Sequence, residues 1–524
     1  MDCMTGESDS VVVIGAGVGG LAAAIRLAAA GRDVTLCEAH AHPGGKLRAL
    51  PSAAGPVDAG PTVLTMRAVF DELFALAGGS LDATLHPVAL PRLARHFWQD
   101  GTRLDLFPDT EASVDAIGAA IGARAAAEFR RFDAEMALLY AAFDGPMMQA
   151  ARPRIGAAAR ATLRAPALWP LLAPGRTLAG LLRARFTDPR LRQLFGRYST
   201  YVGGIPQRTP AVLGLIWRAE AAGVWTLPGG LHKLARALAD LFQSLGGTLR
   251  LSTPVARITA QGGAVTGVAL AEGAHLPAAQ VVFAGDPGAL RAGLLGADLR
   301  RLLPRAASAP RSLSARVWSF AARAEGLPLD HHSLLFAATE ADEFGPLARG
   351  ATPAAPTVYI CAQDRVTGAT NGPERFQFIL NAPASGRDPH TPDQEARECL
   401  TQTFDRLARF GLRFDPLPDP QKALTLPQGF AALFPGSRGA IYGRSPHGAL
   451  APFLRPGART RLTGLYLAGG GAHPGAGLPM AALSGRNAAQ AVQADRASTR
   501  MSHPTATPGG ISMPSATTDA ARSR

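Results

Sequence analysis

The chain has 524 residues, of which 47% are hydrophobic and 6% aromatic, so it can bury a large core and form more than one structural unit. Its formal net charge is +13, and nearly all of this basicity is arginine, since lysine occurs only at Lys46, Lys233 and Lys422. No nucleic-acid-binding motif accompanies the charge, and no apolar run reaches the roughly 18 residues that span a bilayer. We therefore exclude nucleic acid as a partner and expect a protein that is soluble or peripheral to a membrane.

The cysteines are scattered along the sequence without any Cys-x-x-Cys pair, at Cys3, Cys37, Cys361 and Cys399. This distribution argues against a disulfide framework and against a zinc site, and it fits a reducing cytoplasm. His-x-x-His spacing is also absent from the sequence, so we expect no metal.

The N-terminal segment predicts a βαβ unit. A buried strand over Val11–Ile14 precedes an alanine-rich helix over Gly19–Ala30, which Gly31 ends. A second strand follows over Val34–Leu36 and closes at Glu38.

Three glycines, Gly15, Gly17 and Gly20, form the pattern G-x-G-x-x-G between that strand and that helix. In so glycine-rich a chain about one such match is expected by chance, so its position after a strand and before a helix is what makes it informative. Gly15 permits a tight turn, Gly17 lets the backbone approach a pyrophosphate, and Gly20 lets the helix pack closely on the strand. Glu38 would accept hydrogen bonds from the adenosine ribose and would repel a 2′-phosphate, which favours FAD or NAD over NADP.

A second glycine pair, Gly44-Gly45, follows Glu38 in the sequence, and Lys46 comes directly after it. Such a pair lets the chain fold back over the dinucleotide, and a cation beside it can help to neutralise the phosphates. After a Rossmann-type opening, this arrangement favours FAD over NAD.

The rest of the chain is predicted to contain both helices and strands. Residues 310–440 are a mixture of the two, joined by Pro-rich connections. The predicted helices cover Ala68–Ala77, most of Ala112–Phe143, Leu231–Leu245 and about Pro479 to Ala494. The predicted strands are the hairpin His96–Gln99 and Arg103–Phe107, then Thr248–Leu251, Val255–Thr259, Val281–Ala284 and Leu465–Ala468.

Residues 152–197 differ from their surroundings, because they hold ten arginines against one acid, Asp188. Apolar side chains are interleaved with these arginines, namely Leu168, Trp169, Leu171, Leu172, Leu181, Leu182 and Phe186. We expect this segment to meet an anionic lipid surface, with Trp169 and the neighbouring leucines entering the interface.

Three further segments, Asp58–Val63, Pro228–Leu231 and Leu465–Pro479, complete a family resemblance. With the glycine fingerprint, they resemble the signature blocks of the phytoene-desaturase-type carotenoid oxidoreductases. The stretches Gly196–Gly204 and Leu215–Glu220 are similar to the bacterial 1-hydroxycarotenoid 3,4-desaturases, also called methoxyneurosporene dehydrogenases, of purple photosynthetic bacteria.

The resemblance implies a mixed α/β (α+β) fold with a discontinuous, Rossmann-type FAD-binding domain and an inserted substrate domain of strands and helices. The FAD-binding domain would comprise residues 1–75, 225–305 and 445–497. The substrate or membrane-facing domain would comprise residues 76–224 and 306–444. The Ser/Thr/Pro/Gly-rich residues 498–524 predict a disordered tail.

The resemblance also implies where FAD lies. Pro61 and Thr62 would lie near the isoalloxazine ring, and Val255 would meet the adenine through its backbone. The turn Gly469–Gly471 and the helix that begins at Pro479-Met480 would hold the ribityl–pyrophosphate arm and the ring.

The implied activity is FAD-dependent desaturation of an acyclic C40 carotenoid that carries a hydroxyl or methoxyl at C1, by hydride transfer to the flavin and formation of the 3,4 double bond. The alternatives on this fold are another carotenoid desaturase or isomerase, an amine-oxidising flavoprotein, and a non-catalytic lipid-binding carrier. In the related amine oxidases the last strand is typically followed by A-G-E, whereas here Gly470 replaces that glutamate, which disfavours an amine oxidase.

No catalytic base can be assigned from the sequence. His331, His332, His447 and His473 are candidates by residue type alone. The electron acceptor would be oxygen or a quinone, and the expected location is the cytoplasmic face of the inner or intracytoplasmic membrane, with peripheral association.

Overall fold

The computed structural model describes residues 10–173, 175–303, 310–366, 372–384 and 391–502, with side chains as far as Arg496. Its strands, in chain order, are β1 (Ser10–Ile14), β2 (Asp33–Cys37), β3 (Ala49–Leu50), β4 (Val57–Asp58), β5 (Val88–Ala89), β6 (Ala94–Phe97), β7 (Arg103–Leu106), β8 (Trp225–Thr226), β9 (Thr248–Arg250), β10 (Val255–Gln261), β11 (Ala264–Leu270), β12 (His275–Pro277), β13 (Gln280–Phe283), β14 (Ser314–Glu325), β15 (His332–Leu335), β16 (Val358–Ala362), β17 (Glu374–Ala382), β18 (Arg413–Asp415), β19 (Leu424–Thr425) and β20 (Leu465–Leu467).

The α-helices, in chain order, are α1 (Val18–Ala29), α2 (Ala68–Leu76), α3 (Leu81–Leu85), α4 (Thr110–Ala120), α5 (Ala123–Phe143), α6 (Ile155–Arg164), α7 (Leu178–Arg185), α8 (Pro189–Gly196), α9 (Ile216–Ala221), α10 (His232–Ser244), α11 (Pro287–Ala292), α12 (Glu340–Ala348), α13 (Pro392–Arg409), α14 (Pro420–Ala423), α15 (Pro427–Leu433) and α16 (Leu478–Ser502). The predicted N-terminal βαβ unit is confirmed by β1, α1 and β2.

A five-stranded sheet gathers distant parts of the sequence in the order β20-β13-β1-β2-β9, with every pairing parallel. Val11 and Val13 of β1 pack with α1, α10 and α16, while Val12 and Ile14 pack with the antiparallel ladder β10-β11-β12 and with α11. Because both faces of β1 are covered, its sequence is an uninterrupted apolar run.

A second, eight-stranded sheet has the order β18-β14-β17-β16-β15-β6-β7, and β19 also pairs with β14. The predicted hairpin β6–β7 joins this sheet through a parallel pairing of β6 with β15. One face packs against α13 through an aromatic cluster of Phe320, Phe376, Phe378, Phe404 and Phe414. The sequence therefore contributes to this sheet from two segments more than 200 residues apart, and the mixed α/β fold is confirmed.

Helices α4, α5, α7, α8 and α9 form a layer against the edge of that sheet, around a core that includes Phe129, Phe195 and Trp217. Leu168, Leu171, Leu181, Leu182 and Phe186 of the arginine-rich segment are buried in this core. The expectation that the leucines around Trp169 enter a membrane interface is therefore wrong for Leu168 and Leu171. The apolar side chains of α7 and α8 belong to this core, and the count of charges in the sequence could not show that they are buried.

The last helix, α16, extends to Ser502, so the predicted start of a tail at residue 498 falls inside a helix. The rest of that predicted tail, residues 503–524, lies outside the described residues. The division of the chain into a cofactor domain and a substrate domain stays a prediction.

Two glycine contacts fix how closely α1 approaches its neighbours. A Cβ on Gly20 would overlap the carbonyl oxygen of Gly15 and lie 3.0 Å from the Cβ of Ala284. A Cβ on Gly485 of α16 would overlap the carbonyl oxygen of Gly19. The glycine at each position thus allows α1 to pack against β13 and α16 at backbone distance.

We expect Gly20→Ala to destabilise the protein by about 1–3 kcal/mol, the usual range for overpacking, because the obstacle is backbone and cannot rotate away. Urea unfolding measures the change. Gly156→Ala in α6 is the control, since its Cβ would meet nothing within 4 Å and alanine favours helix. An unchanged urea midpoint for Gly20→Ala would contradict the close approach of α1.

Candidate active site

A cavity of about 1140 Å³ begins at the carboxyl ends of β1, β2 and β13 and continues between the two sheets and the helical layer. Open parallel sheets bind ligands at this edge. Twelve of the thirteen residues predicted to contact the cofactor line this one cavity: Gly15, Gly17, Glu38, Gly45, Lys46, Pro61, Thr62, Val255, Gly469, Gly471, Pro479 and Met480. The thirteenth, Gly20, packs against Gly15 as described above.

The fingerprint loop turns directly into α1. Gly15 has a φ of +100°, a conformation that favours glycine, and its N–H donates to the Cys37 carbonyl at 2.7 Å. Gly17 is the N-cap of α1, and a Cβ placed on it would meet only the Gly44 carbonyl oxygen, at 4.0 Å. The space that this Cβ would enter is therefore cavity, and the N-terminal amides of α1 border it, as a pyrophosphate requires.

Glu38 directly follows β2 at the cavity edge and is 5% exposed. Its carboxylate accepts hydrogen bonds from the Ala16 N–H at 2.7 Å and the His40 N–H at 2.9 Å. These amides fix the carboxylate at the position where a dinucleotide presents its adenosine ribose.

The second glycine pair lies directly against the first loop. The Gly44 N–H donates to the Ala16 carbonyl at 2.8 Å, and a Cβ on Gly45 would be 3.2 Å from the Gly17 Cα. Lys46 Nζ donates to the Ile441 carbonyl at 2.6 Å, and burial lowers the pKa of Lys46 to about 8. Lys46 thus reaches across the cavity to the segment before β20, a contact that the sequence could not indicate.

The C-terminal glycine turn closes the same end of the cavity. Gly469 follows β20 with a φ of +90°, and a Cβ on Gly471 would overlap the ring of Pro287. The helix α16 then begins at Leu478, so Pro479 and Met480 lie in its first turn. The positive end of this helix faces the cavity and can stabilise negative charge there.

Two charged groups at this end gave no motif in the sequence. Arg455 is half-buried and donates to the Gly470 carbonyl at 2.9 Å and to the Tyr442 carbonyl at 3.1 Å, and desolvation lowers its pKa to about 10. Asp286 caps α11 through the Gly288 N–H at 2.7 Å and is ion-paired with Arg311. Arg455 comes from an irregular loop, so its approach to the Gly469–Gly471 turn is set by tertiary structure alone.

Beyond Pro61 and Thr62 the cavity becomes largely apolar. One face of the eight-stranded sheet lines it with Val317, Leu334 and Ile379, and helical residues such as Phe143 and Met147 line it from the other side. Side chains on a strand alternate between faces, so this apolar wall is opposite the phenylalanine cluster.

Tyr359 connects the apolar space to the predicted flavin position. Its hydroxyl donates to Thr62 Oγ1 at 2.8 Å, and His332 Nδ1 lies 2.7 Å from the Tyr359 hydroxyl oxygen. Burial raises the pKa of Tyr359 well above its ordinary value and lowers that of His332 well below its own. Both groups are therefore neutral at physiological pH.

A second polar cluster lies on the helical wall of the cavity. Arg197 Nη1 donates to the Tyr201 hydroxyl at 2.9 Å, and the Tyr198 hydroxyl donates to Glu220 Oε1 at 2.7 Å. The Arg197 guanidinium also lies 4.9 Å and 5.1 Å from the ring centroids of Tyr198 and Tyr201. Buried cations require such partners, which explains why this arginine is inside the protein.

The four histidines considered as bases occupy different places. His473 lines the cavity, where its Nε2 lies 2.9 Å from the Ala150 carbonyl, and His447 Nε2 accepts from the Ile205 N–H at 3.1 Å. Burial lowers the pKa of both, to about 4 for His447. These contacts give each ring a structural role, and we assign neither as a base.

Among the described residues, one group could hold a metal ion: His331, His332 and Cys361, whose ligand atoms lie within 4.8 Å of one another. The strand register brings Cys361 opposite His332, a pairing that sequence spacing does not show. Structural zinc sites use four ligands, and this group supplies three. We assign no metal to it.

No helix in the described part of the chain combines the length and the apolarity that are needed to cross a bilayer.

The fold and the cavity define an FAD-dependent oxidoreductase. The chain matches the model of the flavin-containing amine oxidoreductases over residues 18–493, and it belongs to that family. Among solved structures, cyclohexylamine oxidase from Brevibacterium oxydans has a TM-score of 0.54 at 19% identity, covering 94% of this chain and 99% of that one, and therefore shares the fold.

Within this family the chain is of the carotenoid-desaturase type. It is 59% identical to the hydroxyneurosporene desaturase of Cereibacter sphaeroides, over 93% of this chain and 98% of the relative. It is 52% identical to the hydroxyneurosporene desaturase of Rhodobacter capsulatus, over 94% of this chain and 99% of the relative. The resemblance drawn from the sequence is confirmed.

We expect Gly17→Val to abolish FAD retention, because the added side chain occupies the space at the α1 N-terminus. Glu38→Ala should weaken FAD binding by about 1–3 kcal/mol, the range for a lost charged hydrogen bond. Flavin absorbance after gel filtration and a titration of the apoprotein with FAD measure these effects. Gly156→Val, far from the loop, is the control, and normal FAD binding by Gly17→Val would show that the pyrophosphate lies elsewhere.

Proposed function

We propose that the enzyme introduces the 3,4 double bond into acyclic C40 carotenoids that carry a hydroxyl or methoxyl at C1. The observation that carries the proposal is one cavity that joins the glycine loops of the dinucleotide site to an apolar space of the kind that a polyene needs. The names of the two hydroxyneurosporene desaturases support the class of substrate. The stretches Gly196–Gly204 and Leu215–Glu220 support the position of the new bond.

In this reaction two adjacent saturated carbons each lose one hydrogen, one as a hydride and one as a proton. Bound FAD would supply the two-electron acceptor for the hydride, and a base or water would take the proton. The residues of this chain hold the substrate and exclude water. Val317, Leu334 and Ile379 provide an apolar wall for the polyene, and Thr62 and Tyr359 border the point where that wall meets the predicted flavin position. The first turn of α16 would stabilise negative charge on the reduced cofactor.

The competing functions on this fold are less well supported. A non-catalytic lipid carrier has no use for the fingerprint glycines and the fixed carboxylate of Glu38, which together form a dinucleotide site. An amine oxidase shares the fold, but Gly470 here occupies the position where those enzymes typically carry the cofactor-binding glutamate.

We expect 1-hydroxyneurosporene to be converted in preference to neurosporene when both are offered in the same liposomes. An apolar cavity alone distinguishes polyenes by about 10–200-fold per methylene-sized difference, so a stronger preference requires recognition of the oxygen. Product analysis by chromatography and mass spectrometry measures both rates and the position of the new bond. Equal conversion of neurosporene or phytoene would contradict the proposed substrate and leave the flavin chemistry standing.

We further propose that the enzyme associates peripherally with the cytoplasmic face of an anionic membrane and delivers its electrons to oxygen or to a quinone. Helix α6 supports the association, because Ile155 and Leu163 are 62% and 66% exposed, and Trp169 just beyond it is 53% exposed. Ala158 and Thr162 of the same helix line the cavity. A polyene that leaves the lipid beside α6 would therefore enter the cavity directly.

Arginines on the same surface supply the electrostatic part of the proposal. Arg152, Arg154, Arg160 and Arg164 are exposed. Each cation near an anionic surface contributes about 1 kcal/mol, and this contribution weakens as salt rises.

We expect the double variant Ile155→Glu/Leu163→Glu to lose at least tenfold in partition onto anionic vesicles, because an exposed Ile or Leu gains about 1.5–3 kcal/mol on entering lipid. Flotation with phosphatidylglycerol vesicles at rising salt is the measurement. Leu417→Glu is the matched control, since Leu417 is 54% exposed at a distant site. Binding that is indifferent to salt, to anionic lipid and to these variants would overturn the membrane proposal.

A further inference from the structure

Besides Tyr359, the described residues of the eight-stranded sheet place two further polar side chains on the cavity wall, those of Thr357 and Asn381. Thr357 immediately precedes β16 and is two residues from Tyr359, so both side chains lie on the same face. The register pairs Tyr359 with Ile379, and Asn381, two residues beyond Ile379, is therefore the cross-strand neighbour of Thr357. All four residues line the cavity.

Glu343 of α12 completes this polar cluster, which we define as Glu343, Thr357 and Asn381. The Thr357 hydroxyl donates to Glu343 Oε2 in a short hydrogen bond, and Asn381 Nδ2 donates to Glu343 Oε1 at 2.7 Å. The Ala337 N–H donates to Thr357 Oγ1 at 3.1 Å and holds the threonine in place. Glu343 is 4% exposed, and burial raises its pKa above the ordinary value.

Such a cluster is costly to bury in an apolar wall, although the charge of the buried Arg406 acts favourably on its carboxylate. Its neighbours along the cavity include Val317, Phe336, Phe344 and Ile379, which would pack against apolar residues equally well. Polar groups that fix the orientation of a ligand are characteristically few and lie within otherwise apolar pockets.

The cluster keeps hydrogen-bonding capacity for a ligand. Within the described residues the Asn381 side chain makes one hydrogen bond, which leaves its second N–H and its carbonyl oxygen for a ligand. By contrast, the Tyr359 hydroxyl is held between Thr62 and His332, and the Tyr201 hydroxyl is held by Arg197.

We propose that the cluster of Glu343, Thr357 and Asn381 binds the C1 oxygen of the substrate and thereby sets which carbon–carbon bond is oxidised. The free N–H of Asn381 donates to a hydroxyl or methoxyl oxygen, and the proton of a hydroxyl is accepted by the Asn381 carbonyl or by Glu343. This inference rests on the proposed function, since it requires a substrate with an oxygen at C1.

The position of the cluster agrees with the substrate. Two residues along a strand span about 6–7 Å, so Thr357 lies that far from Tyr359, which contacts Thr62 at the predicted flavin position. The C1 oxygen is attached only two carbons from the 3,4 bond, so the group that binds it must lie near the predicted flavin position. The rest of the polyene then extends along the apolar wall towards α6, whose Ala158 and Thr162 also line the cavity.

The test compares neurosporene, which has no oxygen, 1-methoxyneurosporene, whose oxygen only accepts, and 1-hydroxyneurosporene, which accepts and donates. We expect Asn381→Leu and Thr357→Val to lower the preference for 1-hydroxyneurosporene over neurosporene by roughly tenfold for each lost hydrogen bond. Thr357→Ser, which restores the hydroxyl, should restore the preference. The methoxy substrate should lose most with Asn381→Leu, because the Asn381 N–H is its donor.

The readouts are kcat/KM for each substrate and the binding of each carotenoid to oxidised enzyme, followed by its absorption shift. The amount of bound FAD and the melting temperature establish that each variant is folded. If Asn381→Leu does not fold, the comparison of Thr357→Val with Thr357→Ser still tests whether the cluster sets the substrate preference. Tyr201→Phe is the comparison variant on the helical wall and should keep the preference.

The outcomes separate the two proposals. A wild-type enzyme without preference for an oxygenated substrate overturns both the proposed function and this inference. A wild-type preference that survives Asn381→Leu and Thr357→Val, or that is lost only in Tyr201→Phe, overturns the inference and leaves the proposed function intact. Loss of the preference in the cluster variants alone supports both.

Discussion

The structure depends on the parallel pairing of four separate segments in one sheet. β1 pairs with β2 and β13, and β13 pairs with β20, so strands about 450 residues apart end at the same edge. Because parallel strands point the same way, every turn that follows them opens into the same space. The pairing therefore assembles the cavity end predicted to hold the cofactor, and glycines let α1 and α16 approach each other there at backbone distance.

The two kinds of wall around the cavity explain why a water-insoluble substrate suits the enzyme. The glycine turns leave a polar, amide-lined space for a dinucleotide, and the eight-stranded sheet closes the far side with apolar side chains. A single cavity thus has two chemical characters that meet near Thr62 and Tyr359. Hydride transfer to a flavin at this junction would take place against an apolar wall, which suits a hydrocarbon substrate.

The polar groups that remain in the apolar part are few, and each has an identifiable partner. Arg197 is held by aromatic rings and by Tyr201, while Glu343 is held by Thr357 and Asn381. Burying such groups costs free energy of desolvation, and the proposed contact with a ligand gives a reason to retain the cluster of Glu343, Thr357 and Asn381 on the cavity wall.

The sequence by itself determined the local structure that depends on near neighbours. The β1–α1–β2 unit, the hairpin β6–β7 and the glycine fingerprint with Glu38 could be predicted because strand and turn preferences act within a few residues. The family resemblance implied the positions of other cavity-lining residues, namely Pro61, Thr62, Val255, Gly469, Gly471, Pro479 and Met480. Tertiary structure alone decided which segments meet. It buried Leu168 and Leu171, turned Lys46 towards Ile441, brought Arg455 to the Gly469–Gly471 turn, and placed Asn381 beside Thr357 through strand register. Such contacts join residues far apart in the chain, and no local pattern records the register or packing that creates them.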